Sequence, residues 1–392
     1  MSLSSPPVRR IVARDDELRE VVTAAARASR VAVDVEASGM FAYRARPCTV
    51  QLAWDEGGQV AVVDTLATSI APLEELLGPQ GPVKIVHDVA FDARLLAESG
   101  IALANVHDTA VAARMLSRLA TGLATLLDVE LGVHIGKTMQ QHDWRMRPLD
   151  DRMLEYLAAD VVHLEALEQK LWTEVGGHGI EDAVLEETRY RIATAIAATR
   201  PPEVVPPYAR VKGAGRLAER ELAVLRVAAD LREREAERRD VPPHKIASAD
   251  TLIAIARARP QTAQELARVR GYPVGTPAGR SFAAALTPLL AGTGDHIPES
   301  ERHYFEPVRM PVAQARLRRQ REGRLIAWRR AEAKRRSVDE QVVLPGHCLK
   351  DAADADVETL EDLSRVPGLG EFRLRQDGEA ILLALKGDEA PP

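Results

Sequence analysis

The sequence predicts an α/β domain, with a mixed sheet flanked by helices, followed by two small all-α domains. Three observations carry that expectation. The first 200 residues alternate short β-branched runs with helical ones. A proline-rich segment, RPPEVVPP (200–207), has four prolines in eight residues and cannot continue a helix. Beyond it, two blocks of sequence recur at a constant offset of 97 residues.

In chain order, VAVDVE (31–36), TVQLAW (49–54) and QVAVVDT (59–65) read as three consecutive antiparallel strands. They are joined by a loop from Ala37 to Cys48 and a turn over Asp55–Gly58. A helix near Pro72–Leu77, the strand VKIVH (83–87) and a helix containing Asp92 follow. A short strand near Ala102–Val106 then leads into helices that run to about Trp172. Strands first, then strand–helix alternation, describe a mixed sheet covered by helices. After the prolines, LREREAERRDV (231–241) lies over WRRAEAKRRSV (328–338), and QTAQELARVRG (261–271) over ETLEDLSRVPG (358–368). Two blocks holding one register imply two copies of a helical module. The expected domains are 1–200, a linker at 201–211, and modules at 212–292 and 308–387, with GTGDHIP (292–298) as the connector.

A chain of 392 residues is long enough for two or three cores, and 46% hydrophobic with 28% charged residues is ordinary for a globular protein. No apolar stretch approaches the roughly 20 residues that span a bilayer. MSLSSPPVRR lacks the apolar core of a secretory signal. The two cysteines, Cys48 and Cys348, match no zinc-ligand spacing, so the expected compartment is the reducing cytoplasm. The net charge of −6 is unevenly divided. Residues 1–204 hold 20 basic and 30 acidic side chains, whereas residues 205–392 hold 32 and 28. Bound divalent cations would offset the first deficit, and the basic half could hold a polyanion.

The candidate chemistry rests on carboxylates. Asp34 and Glu36 are two apart on a strand and leave its same face. Tyr156 and Asp160 are four apart in MLEYLAADVVHLEAL, which stacks them on one helix face. Asp92 lies in KIVHDVAFDARLL. Taken singly, each has a plain explanation: a polar strand end, a helix surface, a core tyrosine. If the fold gathers them, the carboxylates repel unless cations neutralise them. Hard divalent ions take oxygen ligands, and a pair of them suits in-line phosphoryl displacement.

These motifs, Asp34-x-Glu36, His87-x4-Asp92 and Tyr156-x3-Asp160, together with DWRMRPL (143–149) and the repeated modules, resemble the ribonuclease D family. That family has a DEDD-superfamily 3′–5′ exonuclease domain followed by two HRDC modules. The tyrosine places the resemblance in the DEDDy branch. It implies an RNase H-like sheet, a site formed by Asp34, Glu36, Asp92, Tyr156 and Asp160, and two Mg2+ or Mn2+ ions. In that scheme Asp34 bridges the two ions, Glu36 and Asp160 complete the first site, and Asp92 helps form the second. Tyr156 orients the attacking water. The implied reaction releases 5′-mononucleotides from RNA with a free 3′ end, tRNA precursors foremost, with no obligate protein partner.

Other residues carry weaker expectations. His87 could orient substrate or support a ligand, although a satisfied core histidine is the plainer reading. Asp108 is explained by N-capping of AVAARML. Lys137 could hold a substrate phosphate, and Trp144 could stack on a terminal base, with burial its alternative. His163 and Glu165 read as ordinary packing or surface positions. From Arg309 to Arg336 the chain holds eleven Arg or Lys against Glu322 and Glu332, so Arg318, Arg319, Arg329 and Arg330 are candidate phosphate contacts. Arg232, Arg238 and Arg239 form the matching cluster in the first module, where neighbouring acids suggest a balanced, solvated face. Two other functions remain open from the residues: a DNA exonuclease of the same chemistry, and a non-catalytic RNA-binding protein. The first lacks the phosphate loop that an accompanying helicase module would bring. The second would be expected to have lost a carboxylate.

Overall fold

Valine-rich strands build the sheet that positions everything else. The computed structural model describes residues 8–136, 138–200, 204–306 and 310–387. Its six strands are β1 (Val8–Val12), β2 (Arg30–Ala37), β3 (Pro47–Trp54), β4 (Gln59–Asp64), β5 (Val83–Val86) and β6 (Val106–Asp108), in the order β1-β4-β3-β2-β5-β6. The hairpin β3–β4 is antiparallel, whereas β1 runs parallel to β4 and β5 runs parallel to both β2 and β6. The sheet is therefore mixed, as expected. Strand β2 lies inside it, paired on both edges, with Val31, Ala32, Val33 and Val35 buried.

Helices α1 (Asp15–Ala25), α2 (Leu73–Leu77), α3 (Ala90–Glu98), α4 (Thr109–Met115), α5 (Leu123–Leu126), α6 (Asp151–Val162), α7 (Leu164–Gly177) and α8 (Glu181–Ala197) accompany the sheet. Strand β1 and helix α1 precede the elements expected from the sequence, the first of which starts at Val31. Helix α1 had a usable signal, because its buried residues Leu18, Val21, Val22 and Ala25 follow helical spacing. The last strand also differs from expectation, starting at Val106 rather than near Ala102. Asn105 adopts a left-handed conformation (φ 51°) and donates its side-chain amide to Pro79 O, which breaks the extended run and sets the register Lys84↔Val106. At the β3–β4 turn, Gly57 (φ +79°) lies against the end of α6, where an added Cβ would sit 2.2 Å from Val162 O. Glycine is required for that approach.

Everything described beyond the proline-rich segment is helical apart from turns. Helices α9 (Glu219–Arg238), α10 (Pro243–Ile246), α11 (Ala249–Ala258), α12 (Ala263–Ala267) and α13 (Pro277–Ala291) are followed by α14 (Val312–Arg336), α15 (Glu340–Val343), α16 (Gly346–Asp354), α17 (Leu360–Ser364) and α18 (Glu371–Lys386). Adding 97 to the bounds of α10 and α12 gives 340–343 and 360–364, the bounds of α15 and α17. The same shift carries left-handed Asp240 and Gly271 onto left-handed Ser337 and Gly368.

Contacts divide the chain into two units. One contains residues 37–46 and 201–309, with a core that includes Tyr208, Leu225, Leu252, Phe282 and Leu286. Within it, Tyr43 donates its backbone N–H to Asp240 and its hydroxyl to Glu233. The other unit joins the sheet and its helices to residues 310–392, so the last five helices pack on the α/β core. Arg373, fully buried on α18, pairs with Glu186 of α8 at 2.9 Å and donates to Ala183 O and Val342 O. Beside it, His347 stacks on Tyr190 with 3.8 Å between ring centroids and contacts Glu187 at 2.9 Å. No helix among the described residues is long and apolar enough to cross a membrane.

Candidate active site

Three elements bring the sequence-predicted carboxylates together. Strand β2 presents Asp34 and Glu36 from one face, and α6 presents Tyr156 and Asp160 one turn apart. The Asp150 side chain starts α6 by accepting from Met153 N at 2.8 Å, and buried Met153, Leu157, Ala158 and Val161 fix its rotation. Ligand oxygens of Asp34, Glu36 and Asp160 all lie within 4.8 Å of one another. Asp92, in the first turn of α3 and only 5% exposed, lines the same cleft of about 450 Å3, as do Tyr156 and His87.

The electrostatics of the cleft follow from crowding. Burial, then the charges of Asp34 and Asp160, push Glu36 up to about 9. Burial raises Asp34, and burial with the Asp34 charge raises Asp160. Asp92 is raised by burial and by Asp34 and Glu36. Burial thus opposes the charge of all four, and Asp34 adds to it at each of the other three, a state that a cation relieves. The Tyr156 hydroxyl is raised by burial, then by Asp160 and Glu36, so it stays protonated at neutral pH. Burial lowers His87, which keeps the ring neutral, and its Nδ1 lies 2.9 Å from Thr109 Oγ1.

Asp108 N-caps α4 as expected, and it does more than that. Its buried carboxylate accepts from Ala110 N and Val111 N, and also from Asp88 N (3.1 Å) and Val89 N (3.0 Å) at the start of α3. One carboxylate therefore holds two helix N-termini, where negative charge is favoured, and sets the loop ahead of Asp92 with Asp88 left-handed (φ 62°). The capping half of this role was readable locally; the half reaching back 20 residues was not.

The DWRMRPL segment is a brace. Arg147 pairs with Asp64 at 2.6 and 2.7 Å and donates to Cys48 O and Trp144 O. Trp144, weighed as a base platform, is only 1% exposed and packs against Tyr156 with 5.6 Å between ring centroids. Enclosed in this way, its ring offers no face to a nucleotide. Lys137 lies outside the described residues. His163 ends α6, and Glu165 accepts from Glu56 N at 2.9 Å, so neither lines the cleft. Phe91, Thr121, Leu123 and Gln140 also line the cleft, beyond the residues expected from the sequence. Phe91 is 46% exposed there, and its position directly ahead of Asp92 was the available signal.

The basic helix α14 divides into two sets. Arg318 pairs with Asp354 at 2.6 Å, and Arg329 with Glu340 at 2.6 Å and Leu344 O at 3.2 Å, so both serve the module's own packing. Arg319 and Arg330 are exposed, as are Arg316 and Lys334. Arg319 Nε donates to Ala315 O of its own helix, and Arg330 reaches Glu340 at 3.4 Å. In α9, Arg232 pairs with Glu233, and both Arg238 and Arg239 pair with Glu235, which is the balanced face expected there.

Comparison with known proteins agrees with this architecture. A family model described as a 3′–5′ exonuclease matches residues 9–176, and the HRDC domain model matches residues 221–278 and 319–385. Ribonuclease D of Gluconacetobacter diazotrophicus is 33% identical over 286 residues, covering 72% of this chain and 71% of that protein. Ribonuclease D of Granulibacter bethesdensis is 31% identical over 306 residues, covering 76% and 75%. Two crystal structures share the fold over nearly the whole chain. A Bifidobacterium adolescentis protein has a TM-score of 0.77 at 21% identity, covering 96% of this chain and 97% of that one. Escherichia coli RNase D, described as an exoribonuclease involved in structured RNA processing, has a TM-score of 0.68 at 22% identity, covering 97% and 99%.

Proposed function

The chain belongs to the ribonuclease D family and is a 3′–5′ exoribonuclease, and from that premise we propose that it trims tRNA precursors and other stable RNAs by metal-dependent hydrolysis. Residues 1–200 form the exonuclease domain in this reading, residues 201–211 the linker, and residues 212–292 and 308–387 the two HRDC modules. The observation that carries it is the convergence of Asp34, Glu36 and Asp160 within 4.8 Å, with Asp92 in the same cleft. A set of oxygen donors whose charges oppose one another fits hard divalent cations such as Mg2+ or Mn2+. When bound, two such ions would neutralise the carboxylates, activate water and stabilise the charge developing on the leaving oxygen.

The protein's own groups divide the remaining work. Asp34, Glu36 and Asp160 would hold one ion, and Asp34 with Asp92 the other. Protonated Tyr156 serves as a hydrogen-bonding group that orients the attacking water, not as a phenolate. Replacing Tyr156 with Phe is expected to lower kcat by about 100-fold with little change in RNA affinity. Single-turnover kinetics beside a binding titration checks this, and a loss confined to binding would remove the water-orienting role. Half-exposed Phe91 offers a face for a base at the cleft, which suits binding without sequence readout.

The exposed basic residues of α14 supply sequence-independent contact with RNA phosphates. Arg319→Ala combined with Arg330→Ala should weaken binding to structured RNA and reduce the salt slope by roughly 1–2. An unchanged slope would take α14 out of the interface. The substrate itself is tested with a 3′-extended tRNA precursor and an unstructured RNA of equal length. Trimming of the precursor that stops near the mature end supports the proposal, whereas attack on the unstructured RNA alone contradicts the tRNA assignment.

A further inference from the structure

The cleft that must take in a polyanion is walled with acids. Asp34, Glu36, Asp88, Asp92 and Asp160 line it, and among the described residues no lysine or arginine does. Divalent cations held there would meet the phosphate being cut and leave the strand leading up to it without a positive partner. Helix α3 places such a partner at the rim. Phe91 and Arg94 are three residues apart on one face of it, with Arg94 Cζ 5.5 Å from the centroid of the Phe91 ring. Phe91 lines the cleft and is 46% exposed, whereas Arg94 is half-buried and stands outside the lining. The Arg94 guanidinium has no carboxylate partner among the described residues. Arg191 of α8, which also reaches the rim, is by contrast paired with Glu187 at 3.0 Å and Asp88 at 3.4 Å.

We propose that Phe91 and Arg94 form a subsite for one nucleotide of an unpaired RNA 3′ tail: its base stacks on Phe91, and Arg94 donates to the adjoining phosphate. The proposal rests on the placement of hydrolysis in this cleft given above. Every base has a π face, so an aromatic platform holds a strand without reading its sequence. A guanidinium lies flat over a ring while its edge still presents N–H donors, and that fork matches two oxygens of one phosphate. The pair therefore combines the two contacts that single-stranded nucleic acid offers, on a helix that also carries Asp92. A base reaches Phe91 only when it is out of a helix. The subsite thus selects RNA ends with an unpaired tail, and trimming slows once the tail is too short to place a base on the ring.

The test uses the full chain in Mg2+ with 5′-labelled RNAs that share one duplex and carry a 3′ tail. Arg94→Gln should raise KM by about 10-fold with kcat unchanged, and lower the salt slope of binding by about 0.7, the share of one phosphate contact on a single strand. Phe91→Leu should raise KM by about 10-fold. Abasic residues placed at successive tail positions locate the base. One position should be sensitive in the wild type and insensitive in Phe91→Leu, and a neutral methylphosphonate beside it should be sensitive in the wild type and insensitive in Arg94→Gln. A pair that serves packing alone would move neither the salt slope nor these penalties. Variants with native KM and salt slope, or an abasic penalty that persists in Phe91→Leu, would overturn the proposal and leave the hydrolytic site standing. A wild type that fails to shorten the tail in Mg2+ would instead overturn the reading beneath it, and binding titrations of the same RNAs in EDTA still judge the subsite. Should Phe91→Leu fail to fold, the methylphosphonate penalties in the wild type and Arg94→Gln decide the question.

Discussion

Asp34→Asn is expected to abolish RNA hydrolysis, lowering kcat by at least about 10³-fold, because Asp34 is the carboxylate shared by both proposed cation sites. RNA binding should survive, since the exposed arginines of α14 are untouched. The same substitution should stabilise the metal-free protein. Asp34, Glu36, Asp92 and Asp160 all titrate above the ordinary carboxylate range, Glu36 at about 9. Between the unfolded and folded pKa values the native state holds more protons than the unfolded chain. Its stability is therefore fully present below the ordinary carboxylate range and declines as pH rises toward about 9. Removing one charge from the cluster should raise the Tm in EDTA at pH 8 by a few degrees, by roughly the effect of 1 kcal/mol or more. Paired melting curves and single-turnover assays on one preparation check both halves. An active variant, or an inactive one that melts below the wild type in EDTA, would be inconsistent with a cluster that awaits cations.

Arg373→Met should destabilise the unit containing the sheet by about 3–5 kcal/mol, because it strands Glu186 without a partner in the interior. Arg373 is fully buried and Glu186 is 6% exposed, so solvent screens neither. The Glu186 carboxylate also accepts from Phe372 N at 2.7 Å, at the start of α18, and is the point on which the last helices anchor to α8. The double variant Arg373→Met with Glu186→Gln should recover much of the loss, since an unpaired charge is worse than a neutral pair. Chemical denaturation of the full chain measures both. If the single variant costs under about 1 kcal/mol, the buried pair does not secure the module.

The parts of this molecule that could be read in advance have local periodicity. Asp34 and Glu36 sit at spacing two in a valine run, Tyr156 and Asp160 at spacing four in a helix, and the 97-residue offset superposes helix bounds to the residue at α10 and α12. What could not be read depends on partners remote in sequence. Nothing near Arg373 announces Glu186, 187 positions away, and nothing near Asp108 announces the Asp88 and Val89 amides. Charge counting is limited for a related reason. It identified a basic stretch, but whether an arginine faces RNA or a neighbouring acid depends on tertiary placement, and Arg318 and Arg329 are paired with Asp354 and Glu340. Trp144 illustrates the limit within the site itself. Its residue type suits a base platform, and only packing shows the ring enclosed against Tyr156.

The central claim is that this cleft removes nucleotides from the 3′ end of RNA by metal-dependent hydrolysis. It is tested most directly by following a 5′-labelled RNA with a 3′ extension, with Mg2+ or with EDTA. A ladder that shortens from the 3′ end in Mg2+ and is absent in EDTA is the expected result. Cleavage that persists in EDTA, or that begins within the RNA rather than at its 3′ end, would contradict it.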